Sequence, residues 1–239
     1  MSNSYFSFKK FTVCHDKCAM KVGTDGVLLG AWVKIKEAKT ALDVGTGTGL
    51  ISLMLAQRSD SLLSIDAIDI DEGAILQTTE NVEQSSFKNI RSVHSSLQDY
   101  VIDCGKHYDL IVSNPPYFSS SLHSPSGQRT LARHTDSLPM AEFMNISAHL
   151  LSPDGYLSLI FPHTEKELLI ELAQNAGLFV SRITTVYPMS HLQAKRVLLE
   201  FSMIKQDIEV ADLIIEKERH VYTDEFSEFV KDFYLKLRS

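Results

Sequence analysis

The chain is poor in the residues that mark an oxidising compartment or a membrane. Three cysteines among 239 residues, odd in number and dispersed apart from Cys14 and Cys18, exclude a disulfide framework. No apolar run approaches the roughly 18 residues of a membrane span. The N-terminus, polar apart from Tyr5, Phe6 and Phe8, has no apolar signal region. A cytoplasmic protein without membrane contact is expected. Metal chemistry has little support: Cys14-His15-x-x-Cys18 would need two further ligands, and neither Cys104 nor the remaining histidines have ligand spacing. No metal is expected. His94, His107, His123, His149, His163, His191 and His220 stand singly, without a serine nucleophile elbow, and none is assigned a catalytic role. There is no internal repeat, and 44% hydrophobic with 22% charged residues is not a disordered composition. The length suits one sizeable α/β domain.

What is present is alternation. Apolar runs near 41–44, 64–70, 90–94, 109–113 and 156–161 read as buried parallel strands with helical patterns between most of them. Phe179 to Val186 and Arg196 to Met203 are joined by too few residues for a helix, so an antiparallel hairpin is expected at the end of the sheet. Phe226, Phe229, Val230, Phe233, Tyr234 and Leu237 follow an amphipathic stripe introduced by Thr223, Asp224 and Glu225, which predicts a terminal helix packed on the core.

Asn114-Pro115-Pro116-Tyr117, directly after the run ending in Val112-Ser113, carries the most chemistry. The amino nitrogen of a base or carboxamide has its lone pair delocalised into the adjacent π-system. Hydrogen-bond acceptors on its two N–H bonds raise its nucleophilicity, and Asn114 with the Pro115 carbonyl can supply them. The two prolines stiffen the turn, and Tyr117 offers a flat face for stacking. Taken alone, Asn-Pro is also a common turn opener.

Upstream, the strand Ala41-Leu42-Asp43-Val44 runs into Gly45-Thr46-Gly47-Thr48-Gly49 and then a helical pattern. Glycines at alternate positions admit a ligand close to the backbone. A dinucleotide fingerprint has a wider last spacing so that a pyrophosphate reaches the helix N-terminus. Here the spacing is shorter, and Asp43 would repel a pyrophosphate while suiting the ammonium of an amino-acid moiety. This favours S-adenosylmethionine over a nicotinamide cofactor. Asp69 lies near the ~20-residue offset of a ribose-binding carboxylate. Ile70 is expected against the adenine, and Asp71 as a helix cap.

With DVGTGTG, AIDID and SNPPYF in this order, the chain resembles the class I S-adenosylmethionine-dependent methyltransferases. The segment Ala19 to Trp32, AMKVGTDGVLLGAW, narrows the likeness to the bacterial family that methylates N6 of adenosine 37 in a valine tRNA, and the likeness runs from about Phe8 to the C-terminus. The resemblance implies a Rossmann-like seven-stranded sheet with helices on both faces. It also implies that Lys21, Gly23, Thr24 and Asp25 cover the methionine end of the cofactor. Many relatives carry an acid at the third-strand tip for the adenine amino group, whereas this chain has Ser95-Ser96-Leu97. Ser96 is then the weaker acceptor and Leu97 packs on the ring.

The formal net charge of −7 sits poorly with a nucleic-acid substrate, but it is unevenly spread. Residues 1–40 hold seven Lys/Arg against three acids, and residues 41–239 hold 16 against 27. This divides the chain into a basic arm with a cofactor-covering segment (1–40) and the methyltransferase domain (41–239), within one globular unit. Lys9 and Lys10, interleaved with Phe6, Phe8 and Phe11, suit phosphate contacts and stacking on RNA loop bases, or equally a surface strand with solvated lysines. Arg129, Arg133 and His134, beyond a serine-rich stretch after the motif, are within reach of a phosphate beside a flipped nucleotide, or form a solvated loop. The resulting expectation is a monomeric enzyme acting on the tRNA anticodon loop. Alternatives are methylation of ribosomal guanine N2 or of a protein glutamine amide, and a non-catalytic RNA- or cofactor-binding subunit.

Overall fold

The computed structural model describes residues 4–18, 21–35, 37–115 and 138–237. A short antiparallel hairpin, β1 (Tyr5–Ser7) and β2 (Thr12–Cys14), precedes α1 (Thr24–Trp32). Strand and helix then alternate: β3 (Thr40–Val44), α2 (Leu50–Arg58), β4 (Ser64–Asp69), α3 (Glu72–Gln84), β5 (Ile90–His94), α4 (Leu97–Asp103) and β6 (Tyr108–Ser113). Next come α5 (Met140–Leu150), β7 (Leu151–Pro162), α6 (Lys166–Asn175), β8 (Phe179–Met189), β9 (Arg196–Ser202), β10 (Glu209–Glu218), β11 (Val221–Tyr222) and α7 (Asp224–Val230).

The main sheet has the order β11-β10-β8-β9-β7-β6-β3-β4-β5. Its seven strands from β5 to β8 are the expected set, parallel except for β9, and β8 and β9 form the expected antiparallel pair. That pair does not end the sheet. β10 adds in parallel to β8 and β11 returns antiparallel to β10. Alternate residues of each strand enter opposite layers, as the two-residue pleat dictates. Ala41, Leu110 and Val112 face one core with α1, α2 and α7, while Leu42, Ile111 and Leu157 face the other with α5 and α6.

α1 lies close on α2 because glycine allows it: a Cβ on Gly30 would stand 2.6 Å from Met54 Sδ. Trp32, at the end of α1, donates its indole N–H to Thr184 Oγ1 at 2.9 Å and carries the Arg182 guanidinium 3.6 Å above its ring. A buried aromatic of this kind is worth about 3–5 kcal/mol against alanine, so α1 is anchored by its last residue.

Two expectations are corrected. Phe8 and Phe11 do not stack on RNA: both are buried, in ring contact with each other, with Phe8 also against Phe6 and Tyr234 and Phe11 against Phe87. The hairpin is thus part of the core. The terminal helix stops at Val230 instead of running to Leu237. Thr223 caps it by accepting from Phe226 N at 3.0 Å, but Phe233 and Tyr234 reach the core through a turn and a bridge from Tyr234 to Phe8.

Candidate active site

Parallel strands place their carboxyl ends together, and here the tips of β3, β4, β5 and β6 bring the motifs to one edge. After β3 the chain passes through Gly45 (φ +69°), Gly47 (φ +58°) and Gly49 (φ +76°), a left-handed series that side chains would strain. The amides of Gly45 and Thr46 both donate to Ile68 O, at 2.9 and 3.0 Å, tying the loop to β4. A Cβ on Gly45 would meet nothing within 4 Å, so the loop leaves an open cradle over its first glycine.

Asp43 lies wholly buried between this loop and the first turn of α2. Its Oδ2 accepts from Thr46 Oγ1 at 2.8 Å and Ser52 Oγ at 2.7 Å, and its Oδ1 has no hydrogen-bond partner. Burial pushes the carboxyl up to about 6, against the opposing pull of the two hydroxyls. Asp69, half-buried at the tip of β4, accepts from Gly47 N and Asp71 N, both at 2.9 Å, so it braces the loop from the side where a ribose is expected. Ile70 beside it is 61% exposed, a large apolar side chain left uncovered at the strand tip. Asp71 caps α3 through Gly73 N, as expected.

At the β5 tip, Ser96 serves first as the cap of α4: Oγ accepts from Asp99 N at 3.0 Å and donates to Asp99 Oδ2 at 2.6 Å. Ser96 Oγ is thus engaged as the capping hydroxyl of α4, and it brings the Asp99 carboxylate to the same tip. Leu97 is buried. At the β6 tip, Ser113 Oγ donates to Val44 O at 2.7 Å, which clamps the last residue before Asn114 to the last residue before the glycine loop. Asn114 and Pro115 are half-buried there. Pro116, Tyr117, Arg129, Arg133 and His134 lie outside the described residues.

The start of α1 reaches the same edge. Gly23 starts α1, and Asp25 in its first turn pairs with Arg196 Nε at 2.7 Å at the start of β9; Lys21 is exposed just ahead of it. Sequence reasoning missed the groups that lock this neighbourhood. Asn81 on α3 donates to Cys14 O and Thr48 O, and accepts from Cys14 N, so one amide joins the N-terminal hairpin to the glycine loop. Thr78 Oγ1 donates to Gly47 O. Their signal was polar residues three apart on the inward face of α3.

Lys9 and Lys10 fall elsewhere. Lys9 Nζ donates to Lys231 O at 2.6 Å, and the carbonyl of neighbouring Asp232 accepts from Gln57, near the end of α2. α2 begins at the glycine loop, and seven residues at 1.5 Å each put Gln57 about 11 Å from its start. The pair therefore stands about a helix length from the Asn114 turn.

A cavity of about 590 Å³, lined by residues including Arg91, His94, Asp99, Tyr100, Cys104 and Lys106, opens beside β5, and no glycine-loop residue lines it. Beneath it Asp66 receives Arg91 Nε at 2.8 Å, Lys106 Nζ at 2.5 Å and two tyrosine hydroxyls. Burial would raise this carboxyl, but those donors outweigh it and hold it below the usual carboxylate range. Among the described residues no cluster of three or more His, Cys, Asp or Glu is placed to hold a metal. No helix among them is long and apolar enough to cross a membrane.

The methyltransferase small domain family matches residues 18–171. A protein of Parabacteroides distasonis is 51% identical over 239 residues, covering 99% of this chain and all of its own. One of Trichodesmium erythraeum is 46% identical over 238 residues with the same coverages. Both are named tRNA1(Val) (adenine(37)-N6)-methyltransferase. Among solved structures, a predicted O-methyltransferase from Agrobacterium tumefaciens aligns with a TM-score of 0.68 at 18% identity, over 90% of this chain and all of that one, a likeness of fold.

Proposed function

This chain belongs to the tRNA1(Val) (adenine(37)-N6)-methyltransferase family, and from that premise we propose that it methylates N6 of adenosine 37 in the anticodon loop of valine tRNA, using S-adenosylmethionine. The observation that carries the reading is the Ser113 clamp. It holds the Asn114–Pro115 turn against the end of β3, where the glycine loop begins, so the acceptors for an amino group and the cofactor cradle form one rigid edge.

The residues present fit the cofactor. The open space over Gly45, the unpartnered Asp43 Oδ1 and the exposed Ile70 offer, in turn, close backbone approach, a carboxylate oxygen for an ammonium and an apolar face for adenine. Gly45, Gly47, Gly49, Asp69 and Leu97 would hold its nucleoside, and Lys21, Gly23, Thr24 and Asp25 would close over its amino-acid end. When bound, S-adenosylmethionine supplies a methyl group on a sulfonium whose departure as a neutral thioether needs no acid.

The protein's own task is positioning and polarisation. Asn114 Oδ1 and Pro115 O accept the two N6–H bonds, turning the lone pair out of conjugation and towards the methyl group. In that transfer the C–N bond would form as the C–S bond breaks, and the nitrogen, acidic once methylated, would release one proton to water. Pro116 and Tyr117 would stiffen the turn and stack on the flipped base. Arg129, Arg133 and His134 would reach adjoining phosphates, and Lys9 and Lys10 a more distant part of the tRNA.

Transfer of labelled methyl to unmodified valine tRNA tests the reading, with the same tRNA carrying G37 and total ribosomal RNA alongside. Label on the A37 tRNA alone is the expected result. Label on ribosomal RNA, or equal label on the G37 tRNA, would reject it and return the site to another planar amino group.

A further inference from the structure

On the reading above, a chain this acidic must still admit a polyanion to one particular edge, and two long stretches of it carry no acid. The two longest stretches without Asp or Glu are residues 110–135, between Asp109 and Asp136, and residues 172–199, between Glu171 and Glu200. The first holds the Asn114 motif. The second holds β8, its turn and most of β9, and the sheet brings that turn to the same edge.

The register places the two. Ser113 is level with Leu159 on β7, and Pro162, three residues further on, is level with Arg196 on β9 and, through it, with Val186 on β8. At about 3.3 Å per residue and 4.8 Å per strand, Arg196 stands about 7 Å beyond the level of Asn114 and about 10 Å to its side. The turn is built firmly: His163 N donates to Lys195 O, Lys195 N to Val186 O and Leu192 N to Met189 O. Its surface carries hydrogen-bond donors on either side of the exposed Leu192: Ser190, His191, Gln193 and Lys195 are exposed, with His163 half-buried beside them. Arg196 is engaged with Asp25, whereas Lys195 makes no ion pair among the described residues.

We propose that this shelf, made by His163, His191 and Lys195 at the end of β7 and the β8–β9 turn, is the surface that takes the phosphate backbone of the RNA beside its target base. Phosphate contacts from side-chain donors fix register without reading sequence, which suits a shelf flanking the chemistry. It also bears on how a protein of net charge −7 binds RNA: the turn and the stretch holding Asn114 contribute no carboxylate of their own, and of the acids beside the shelf, Asp25, Glu165 and Glu216, the first is paired with Arg196. The inference rests on the RNA reading above and adds the place of contact.

The test is binding of a fluorescently labelled valine anticodon stem-loop, followed by anisotropy over a range of salt with S-adenosylhomocysteine present. Lys195→Glu is expected to weaken binding about tenfold and to lower the slope of log affinity against log salt by about one. Lys195→Gln should show a smaller loss. Lys88→Glu, just before the amino end of β5 on the opposite edge of the sheet, where Lys88 Nζ donates to Glu83 O at 2.9 Å, should stay within about twofold of the parent, since an exposed charge so far from the shelf is largely screened. Unchanged S-adenosylhomocysteine affinity shows that each variant is folded. Binding by Lys195→Glu within about twofold of the parent and with the parent's salt slope, or no binding by the parent, would overturn the proposal. RNA binding that depends on Lys195 without methylation of A37 would instead overturn the functional reading and leave the shelf standing.

Discussion

The tips of β3, β4 and β5 and the tips of β6, β7 and β8 lie on one edge of one sheet, yet they are built differently. On the first side the motif's polar groups are engaged inside the chain save one: Asp69 accepts two backbone amides, Ser96 and Asp99 bond each other, and Asp43 is buried under two hydroxyls with one oxygen unmet. On the second side the turn residues are exposed and the turn itself carries no carboxylate. On the proposed reading, a small ligand with a defined shape would meet a preformed socket, and a large polyanion an open surface. Binding and turnover should therefore be separable by mutation.

The sharpest separation is expected at Asn114. Asn114→Ala removes an acceptor aimed at the reacting amino group and should lower turnover by about 10²–10³-fold. S-adenosylhomocysteine affinity should move little, as calorimetry alongside steady-state kinetics would show. Asp43→Asn acts on the other half. Losing a charge-assisted hydrogen bond to the ammonium, about 1.5–3 kcal/mol, corresponds to a loss of about 10–100-fold in cofactor affinity.

Asp43 also gives the comparison a pH dependence. Its carboxyl is raised from 3.8 to about 6 by burial, so the folded protein holds that proton more tightly than the unfolded chain. In the absence of ligand its effect is to favour folding at low pH, an advantage lost as pH rises from about 4 to about 6. Cofactor affinity has the opposite sign, because only the carboxylate complements an ammonium. S-adenosylhomocysteine binding should weaken by up to about tenfold per unit as pH falls below 6, and Asp43→Asn should flatten that profile.

Smaller effects are expected at the joint between the halves. Ser113→Ala leaves Val44 O without its buried donor, a cost of about 1–3 kcal/mol in stability. It should lower turnover more than cofactor affinity, with rescue by Ser113→Thr. Thermal unfolding and kinetics on the same preparations would read both. The smallest change belongs to Lys10→Glu on the hairpin, where loss of one remote phosphate contact should raise Km for tRNA by about threefold and leave the rate at saturating tRNA unchanged.

The strands and glycine loop were legible because buried parallel strands are continuous apolar runs and left-handed turns call for glycine. β10 was not, because Glu209, Val210, Ala211 and Asp212 are all exposed and no alternation marks a core face. The stripe through Phe233 and Tyr234 did mark core residues, but a turn met that need as well as a helix would. Phe8 and Phe11 show the converse: aromatics beside lysines are compatible with stacking on RNA, and only the packing against Tyr234 and Phe87 reveals them as core. Asp43 and Asn114 were found by motif, whereas Ser113, Asn81 and Asp99 act through partners far from them in sequence or around a helix turn.

Both halves can be tested in one sample. S-adenosylhomocysteine Kd and the single-turnover rate of methyl transfer to A37 valine tRNA at saturating cofactor would be measured together on the parent, Asn114→Ala and Asp43→Asn proteins. The expected outcome is a loss of rate with Kd preserved for Asn114→Ala, and a loss of affinity with most of the rate preserved for Asp43→Asn. Parallel losses of rate and affinity in Asn114→Ala would show that the Asn114 turn is part of the cofactor socket and not the clamp on the substrate amino group.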